Sequence, residues 1–273
     1  MDAQLVAALI AAAVAIASAV LGILNSRALA PLQSDLDARR EMKVADHQAT
    51  VDERTSEQQR IREEVLRWTN PVLDAVDALE SRLKNILTDG LDQALHNSRK
   101  DRPVDPDWAV SYDYVLPTTL YLFANYFAWI RLLQEKLSFE LFESDEVKKR
   151  FFDAMWRVSK ALSDWPRLEV QGWGRDAQVF ALQQRAIGEA VIKRDTDGAR
   201  PMTVPEFLSA YDNKNEATFN AILDPLRELV EDLERETKRW ARLSLTLSEL
   251  RDFGDECRAL LKLRGTSPDG LRS

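Results

Sequence analysis

The amino-acid sequence predicts an all-α protein with an N-terminal single transmembrane helix, a polar helical stalk and a multi-helix bundle. An uncharged apolar run opens the chain, a polar glycine-free segment follows it, and apolar residues then recur at spacings of three and four. No sustained alternation of apolar and polar residues appears, so we expect a sheet content near zero. The expected boundaries are 1–24 for the transmembrane helix, 25–67 for the juxtamembrane stalk, 68–263 for the bundle and 264–273 for a disordered tail.

The opening run, from Ala3 to Leu24, carries no charged residue. At about 1.5 Å of rise per residue, a helix of this length crosses a hydrocarbon core of roughly 30 Å. The alternative is a cleaved secretory signal, since Ala28-Leu29-Ala30 has the small-x-small pattern of a cleavage site. Asp2 is the only charged side chain before the run, and Pro31 would follow the cut directly, so a retained anchor is favoured.

The basic residues next to this run lie on its C-terminal side, at Arg27, Arg39, Arg40 and Lys43. Lysine and arginine are retained on the cytoplasmic face of a membrane, so the N-terminus is expected outside and the bulk of the chain in the cytoplasm. The single cysteine, Cys257, gives no sign of adaptation to an oxidising compartment.

Small residues recur along one ridge of the anchor, at Ala7, Ala11, Ala15 and Ala19. Such ridges allow helix backbones to approach closely in lipid, so self-association through the anchor is one hypothesis. The alternative is that an alanine-rich segment produces this spacing by chance.

The segment from Asn25 to Arg67 is polar and free of glycine, which indicates a helical stalk. Apolar side chains occupy one heptad seam of this stalk at Val44, Val51, Ile61, Val65 and Trp68. Polar side chains share the seam at His47, Arg54 and Gln58. A coiled coil and a solvated helix or tether therefore both remain open.

The bundle is expected to begin at Asn70-Pro71, a cap followed by proline at the first helical position. An apolar face then repeats until Asp89-Gly90, through Val72, Val76, Leu79, Leu83 and Ile86.

The stretch from Val115 to Ile130 contains no charge and could be a second membrane span. It is short for a span and contains Pro117, Thr118, Thr119 and Asn125, so we favour a helix that begins near Pro117 and lies at the centre of the bundle.

Further helices are predicted over 147–165, over 176–192 and from Thr203, whose spacing to Glu206 is that of a capping box. The strongest periodicity predicts one long final helix from Ile222 to Leu250, interrupted in its apolar row only by Glu236.

Several short motifs match known functional sites, but the surrounding sequence does not support those functions. Gly172-Trp173-Gly174-Arg175-Asp176-Ala177 matches a dinucleotide fingerprint, but no strand-helix series surrounds it, and a helix connection accounts for it. Ser81-Arg82-Leu83-Lys84 matches S-x-x-K, the spacing of a serine nucleophile and a lysine base, but the S-D-N and K-T-G elements that accompany it in such enzymes are missing. Asp195, Asp197 and Gly198 indicate a turn between helices rather than a calcium loop.

Metal and thiol chemistry are not indicated either. His47 and His96 lie far apart, and Cys257 falls on an apolar row where a packed thiol is expected. We therefore expect no catalytic residue, no metal and no cofactor. The net charge of −8 and the pI of about 5.1 argue against a nucleic-acid partner.

Polar residues that border apolar faces are the remaining candidates for packing or interaction: Arg82, Asn85, Asn125, Arg185 and Glu189. Gly188 lies inside a predicted helix, where it costs about 1 kcal/mol relative to alanine unless a close neighbour offsets it. A buried pair of Arg82 with Glu189 is conceivable. The tryptophans are expected in the core rather than along a groove: Trp129, Trp156, Trp165, Trp173 and Trp240.

Three stretches resemble an uncharacterised group of bacterial membrane-anchored helical proteins. They are Asn70–Leu73 with Ser81–Leu87, Thr119–Trp129, and Gln184–Glu189. The resemblance implies a bacterial origin, hence the inner membrane, and one folded unit from about Trp68 to Leu263. It carries over no catalytic residue.

The sequence thus predicts a non-catalytic interaction or scaffolding module at the inner membrane face, holding an unknown protein partner or copies of itself. The alternatives are an enzyme with a dispersed polar site in the bundle, or a membrane effector assembled through the anchor. An enzyme predicts a concave polar pocket near Arg82 or Arg185, whereas an interaction module predicts an exposed apolar patch.

Overall fold

A computed structural model of the chain describes residues 3–99, 111–136, 142, 144–163, 178–196, 198–213 and 217–265. Within these residues the side chains of 3–14, 16–38, 99 and 263–265 are not described. The structure is predominantly helical, which confirms the all-α prediction and the helical bundle.

The described residues form seven α-helices and one β-hairpin. The helices are α1 (Ala3–Thr88), α2 (Tyr112–Lys136), α3 (Asp145–Ser163), α4 (Ala181–Ala190), α5 (Val204–Asp212), α6 (Ala217–Val230) and α7 (Lys238–Gly265). Strands β1 (Ile192–Asp195) and β2 (Gly198–Pro201) pair antiparallel. Two 3₁₀ turns, Leu91–Leu95 and Asn97–Arg99, follow α1.

The chain divides into two compact units, Met1–Arg60 and Ile61–Ser273. In the first unit, residues 39–60 are exposed throughout, including the seam residues Val44 and Val51. Among the described residues, no helix combines the length and the apolarity that crossing a membrane requires. The predicted anchor from Ala3 to Leu24 lies outside the described side chains, except for Ala15, which is exposed.

In the second unit, α2 is the central helix, as its uncharged stretch from Val115 to Ile130 predicts. It packs against α4, α5, α6 and β2, and its buried residues include Leu120, Phe123 and Ala124. The helix begins at Tyr112 rather than near Pro117, so the predicted start was wrong. Pro117 lacks one amide, but burial of Val115 and Leu116 before it keeps the first turns helical.

Helix α1 contributes its residues from Ile61 onward to the bundle core. It continues through Asn70-Pro71, so the predicted helix start at this point was wrong. Val65 is fully buried upstream of the proline and Val72 is fully buried after it, and this continuous apolar face outweighs one lost hydrogen bond. The predicted stop is confirmed, because Gly90 follows the helix in the left-handed conformation at φ 84°.

The predicted long final helix is two helices. Residues 231–237 break it, and within the break Asp232 and Glu236 adopt positive φ values of 49° and 62°. The Arg239 guanidinium donates to the carbonyls of Glu228, Glu231 and Asp232 at 2.8, 2.5 and 2.6 Å. The first bond satisfies a carbonyl in the last turn of α6, which the helix itself leaves without a donor, and the other two satisfy carbonyls within the break.

The C-terminal helix α7 packs against α3 and also contacts α1. Arg251 Nε on α7 donates to Glu80 Oε1 on α1 at 3.0 Å. A Cβ added at Gly254 would meet Val76 Cγ1 at 3.4 Å, which is ordinary contact. The first and last described helices of the second unit are therefore neighbours.

The hairpin of β1 and β2 is the exception to the expected absence of sheet. The helix predicted over 176–192 corresponds to α4, and the chain adopts an extended conformation directly after it. Gly198 adopts φ 127°, a conformation that L side chains rarely adopt, and Met202 N donates to Val191 O at 2.7 Å to close the hairpin base. The turn predicted at Asp195 and Gly198 therefore joins strands rather than helices.

Candidate functional site

Helices α2, α3 and α4 enclose a surface groove with a cavity volume of 290 Å³, called here the α2–α3–α4 groove. Its apolar lining comes from Tyr126, Phe127 and Ile130 on α2, Met155 and Trp156 on α3, and Leu182 on α4.

Large apolar side chains protrude from this groove into solvent. Leu182 is 79% exposed and Trp156 is 56% exposed. Phe180, which directly precedes the lining residue Ala181, is 45% exposed. In the second unit, the only other large apolar side chain described as exposed is Val204 on α5. Three of the four exposed large apolar side chains described in the bundle therefore lie in the groove or directly next to it, and the expectation that Trp156 lies in the core was wrong.

The groove owes its shape to a close approach of α4 to α2. A Cβ at Gly188 would lie 2.8 Å from the backbone C and O of Phe127, so only glycine fits at this contact. The close neighbour expected to offset the glycine in this helix is therefore present. The buried Gln184 ties α4 to α3, because its Nε2 donates to Ser159 O at 3.0 Å and to Val179 O at 2.8 Å.

Ion pairs border the groove. Glu189 Oε1 accepts from Arg185 Nε at 2.9 Å and from Arg131 Nε at 3.0 Å. Arg131 also pairs with Glu135 at 3.2 Å, and Arg194 pairs with the same carboxylate at 3.0 Å. The hydrogen bond from Arg185, followed by the nearby charges of both arginines, lowers the pKa of Glu189. Arg131 and Arg185 are the two charged residues that line the groove.

Of the five polar candidates, Arg185 and Glu189 meet at the groove and Asn125 lies half-buried on α2. Arg82 donates to Thr119 Oγ1 at 3.3 Å, and burial lowers its pKa. Thr119 and Arg131 are twelve residues apart on α2, which separates them by about 18 Å along the helix axis. The conceivable pair of Arg82 with Glu189 is therefore not formed.

Asn85 lies exposed near the end of α1. With its amide oriented to donate, its Nδ2 reaches Ser81 O at 3.2 Å and Asp89 Oδ2 at 3.1 Å. These bonds are local to the last turn, so Asn85 serves the helix end rather than the groove.

A second concavity of 500 Å³ is polar and was not predicted. The Tyr112 hydroxyl donates to Glu231 Oε1, and Arg227 donates to Tyr211 Oη at 3.3 Å and to Asp224 Oδ1 at 3.1 Å. Burial, followed by the hydrogen bond to Glu231, raises the pKa of Tyr112. These residues come from segments about one hundred positions apart, and no motif in the sequence joins them.

The cysteine is packed, as expected. Cys257 is fully buried, and burial raises the pKa of its thiol. Within the described part of the chain, no three potential metal ligands of the His, Cys, Asp or Glu type cluster together. The glycine-rich stretch 172–177 lies outside the described residues, as do Trp165 and Trp173.

No family model, curated protein or solved structure matches this chain.

Proposed function

We propose that this chain is a non-catalytic interaction module, anchored by one N-terminal membrane span, whose helical head binds a partner protein at the inner face of a bacterial plasma membrane. The observation that carries the proposal is the concentration of exposed apolar side chains at the α2–α3–α4 groove. Trp156 and Leu182 are exposed in its lining, and Phe180 is exposed directly before the lining residue Ala181.

An exposed apolar patch supports interaction because apolar surface gains roughly 25 cal/mol per Å² when it leaves water. Scattered exposed apolar residues need no explanation, but a patch that combines them with a groove marks an interaction site. Tryptophan is also enriched among the residues that dominate binding energy at protein interfaces. The apolar groove next to Arg185 is the feature expected of an interaction module.

The membrane part of the proposal rests on sequence. The uncharged run from Ala3 to Leu24 has the length of a span, and the basic residues that follow it favour an N-terminus outside and a cytoplasmic head. The bacterial inner membrane follows from the resemblance described above.

The test is a crosslinked pull-down of the full-length chain from native membranes, with mass spectrometry and reciprocal tagging of each recovered protein. The proposal predicts one defined partner that recovers the chain in return. Recovery of only the chain itself, lost when Ala11, Ala15 and Ala19 become isoleucine, would favour a self-assembling membrane effector instead.

An enzyme is the second candidate, and the polar cavity at Tyr112, Arg227 and Glu231 favours it. Helical bundles can hold polar sites built from facing helices. A thermal-shift screen of small charged metabolites tests this candidate. A compound that raises the melting temperature of the wild type but not of Tyr112→Phe or Arg227→Gln would identify a ligand site there.

A further inference from the structure

We propose that the α2–α3–α4 groove receives an acidic amphipathic helix of the partner protein, with its apolar side chains in the groove and its carboxylates against Arg131 and Arg185. This inference rests on the proposed interaction function and adds the chemistry of the partner.

The form of the groove favours a helix over a small molecule. Small-molecule sites enclose most of the ligand surface, whereas Leu182 and Trp156 stand 79% and 56% exposed beside a cavity of 290 Å³. A helix that presents apolar residues at i, i+3, i+4 and i+7 would fill the cavity and cover the protruding side chains at the same time.

The charge of the lining favours an acidic occupant. The two charged residues that line the groove are arginines, and they pair with Glu135 and Glu189 at its border. Arg194, which shares Glu135, and Lys160, whose Nζ lies 3.7 Å from the centre of the Trp156 ring, leave this border with more basic than acidic side chains, although the whole chain has a net charge of −8. Arg185 is 56% exposed, and its ion pair with Glu189 uses one N–H of the five that a guanidinium carries. Further carboxylates can therefore bind to the same guanidinium in a bidentate manner.

A second copy of this chain fits the groove less well. A groove-to-groove contact would set arginines 131 and 185 of the two copies against each other, and like charges disfavour it. The other exposed apolar helix surface among the described residues, at Met42, Val44 and Val51 of the first unit, is the remaining candidate. Residues 39–60 carry five basic and five acidic side chains, so this segment offers no net charge to complement the arginines. We therefore assign the groove to another protein.

Site-specific photocrosslinking of the full-length chain in native membranes tests the inference. The photoreactive residue p-benzoylphenylalanine replaces Leu182, whose high exposure lets the larger side chain fit without repacking the core. The matched control places it at Val204, which is 37% exposed and does not line the groove. We expect position 182 to crosslink to a partner peptide whose sequence has the apolar periodicity of an amphipathic helix and a net negative charge. The control position should not yield it.

Charge reversal provides the second arm of the test. Arg185→Glu should reduce the crosslink yield at position 182 by about tenfold, because it sets like charges against each other. Arg60→Glu, an exposed change on the first unit, should leave the yield unchanged. Circular dichroism melting of each variant shows that folding is retained.

Three outcomes would overturn the inference: crosslinks to lipid, to another copy of the chain, or to a basic segment. An absent crosslink at 182 while the pull-down still recovers a reciprocal partner would also overturn it and leave the interaction function standing. A failed pull-down with no reciprocal partner would instead remove the proposed function itself.

Discussion

Gly188 shows how one missing side chain shapes the groove. Its Cα lies against the backbone of Phe127, and a Cβ would approach that backbone to 2.8 Å, a distance that real Cβ contacts essentially never show. Backbone atoms cannot rotate away as a flexible side chain can, so any larger residue must separate α4 from α2.

Replacing Gly188 with alanine is expected to destabilise the bundle by about 1–3 kcal/mol, because overpacking outweighs the gain of about 1 kcal/mol in helix propensity. Gly254→Ala is the matched control. Its Cβ would meet the flexible Arg258 Nη1 at 3.1 Å, so we expect little loss or a small gain. Urea unfolding midpoints compare the two variants, and equal midpoints would contradict the steric argument.

Glu206 stabilises the start of α5 in a pH-dependent manner. Its carboxylate accepts from Arg200 Nη1, Thr203 N and Thr203 Oγ1 at 2.8, 2.8 and 3.0 Å. The hydrogen bond from Arg200, followed by that from the Thr203 amide, lowers its pKa from the ordinary 4.5. A lowered folded-state pKa contributes stability above the ordinary value and loses it as the pH falls through the folded value.

Glu206→Gln should therefore lower the melting temperature most at neutral pH. The difference from wild type should shrink as the pH falls below 4.5. Melting curves from pH 7 to pH 2 measure this difference. Glu57→Gln is the comparison, because a hydrogen bond from Arg60 lowers the pKa of Glu57 as well, yet Glu57 lies on an exposed helix face and caps no helix among the described residues. We expect a smaller loss for Glu57→Gln, with the same sign of pH dependence. A pH-independent difference for Glu206→Gln would argue against the carboxylate as the source.

At the scale of elements, hydropathy periodicity predicted where helices lie better than where they begin. The apolar face predicted for α3 is confirmed, because Phe151, Val158 and Leu162 are all buried. Pro71 and Pro117 each predict a helix start, yet tertiary burial on either side keeps the chain helical through them. The expectation that Trp156 lies in the core was wrong although the period contradicts it, because Trp156 lies five positions after Phe151, on the opposite side of α3 from the buried face. Periodicity does not show which other helices border that side and form the groove.

The break between α6 and α7 was missed for a related reason. The apolar row continues across residues 231–237, and only Glu236 interrupts it. What ends α6 is a long-reaching hydrogen-bond donor, Arg239, whose partners are carbonyls of the preceding turn. Periodicity contains no information about such backbone contacts.

Arg239→Ala should destabilise the bundle by about 1–3 kcal/mol, since hydrogen bonds to a charged donor are lost and carbonyls are left without partners. Arg239→Lys should recover only part of this loss, because an ammonium cannot reproduce the planar fork of donors. Chemical denaturation of both variants gives the comparison. Equal stability of the alanine and wild-type chains would show that the break is held by other contacts.

At the scale of the whole molecule, Cys257 reports on the integrity of the bundle. It is the single cysteine of the chain, it is fully buried on α7, and burial raises the pKa of its thiol. Modification by a thiol reagent therefore requires opening of the α7 packing.

The native chain should react with Ellman's reagent at least about a thousandfold more slowly than the urea-unfolded chain, as expected for a site that opens only with the global unfolding of a stable domain. The rate should rise in step with the unfolded fraction along a urea titration. The destabilised Gly188→Ala chain should react faster than wild type. Fast reaction without denaturant would show that α7 opens independently of the rest.

The contact of α7 with α1 also has a consequence for synthesis. Arg251 and Glu80 are 171 positions apart, so their contact forms only after nearly the whole chain has left the ribosome. Contacts of such long sequence separation slow folding, because a large loop must close before they form. Until α7 arrives, Val76 of α1 lacks its cover from Gly254, and the nascent protein exposes this apolar surface to chaperones and proteases.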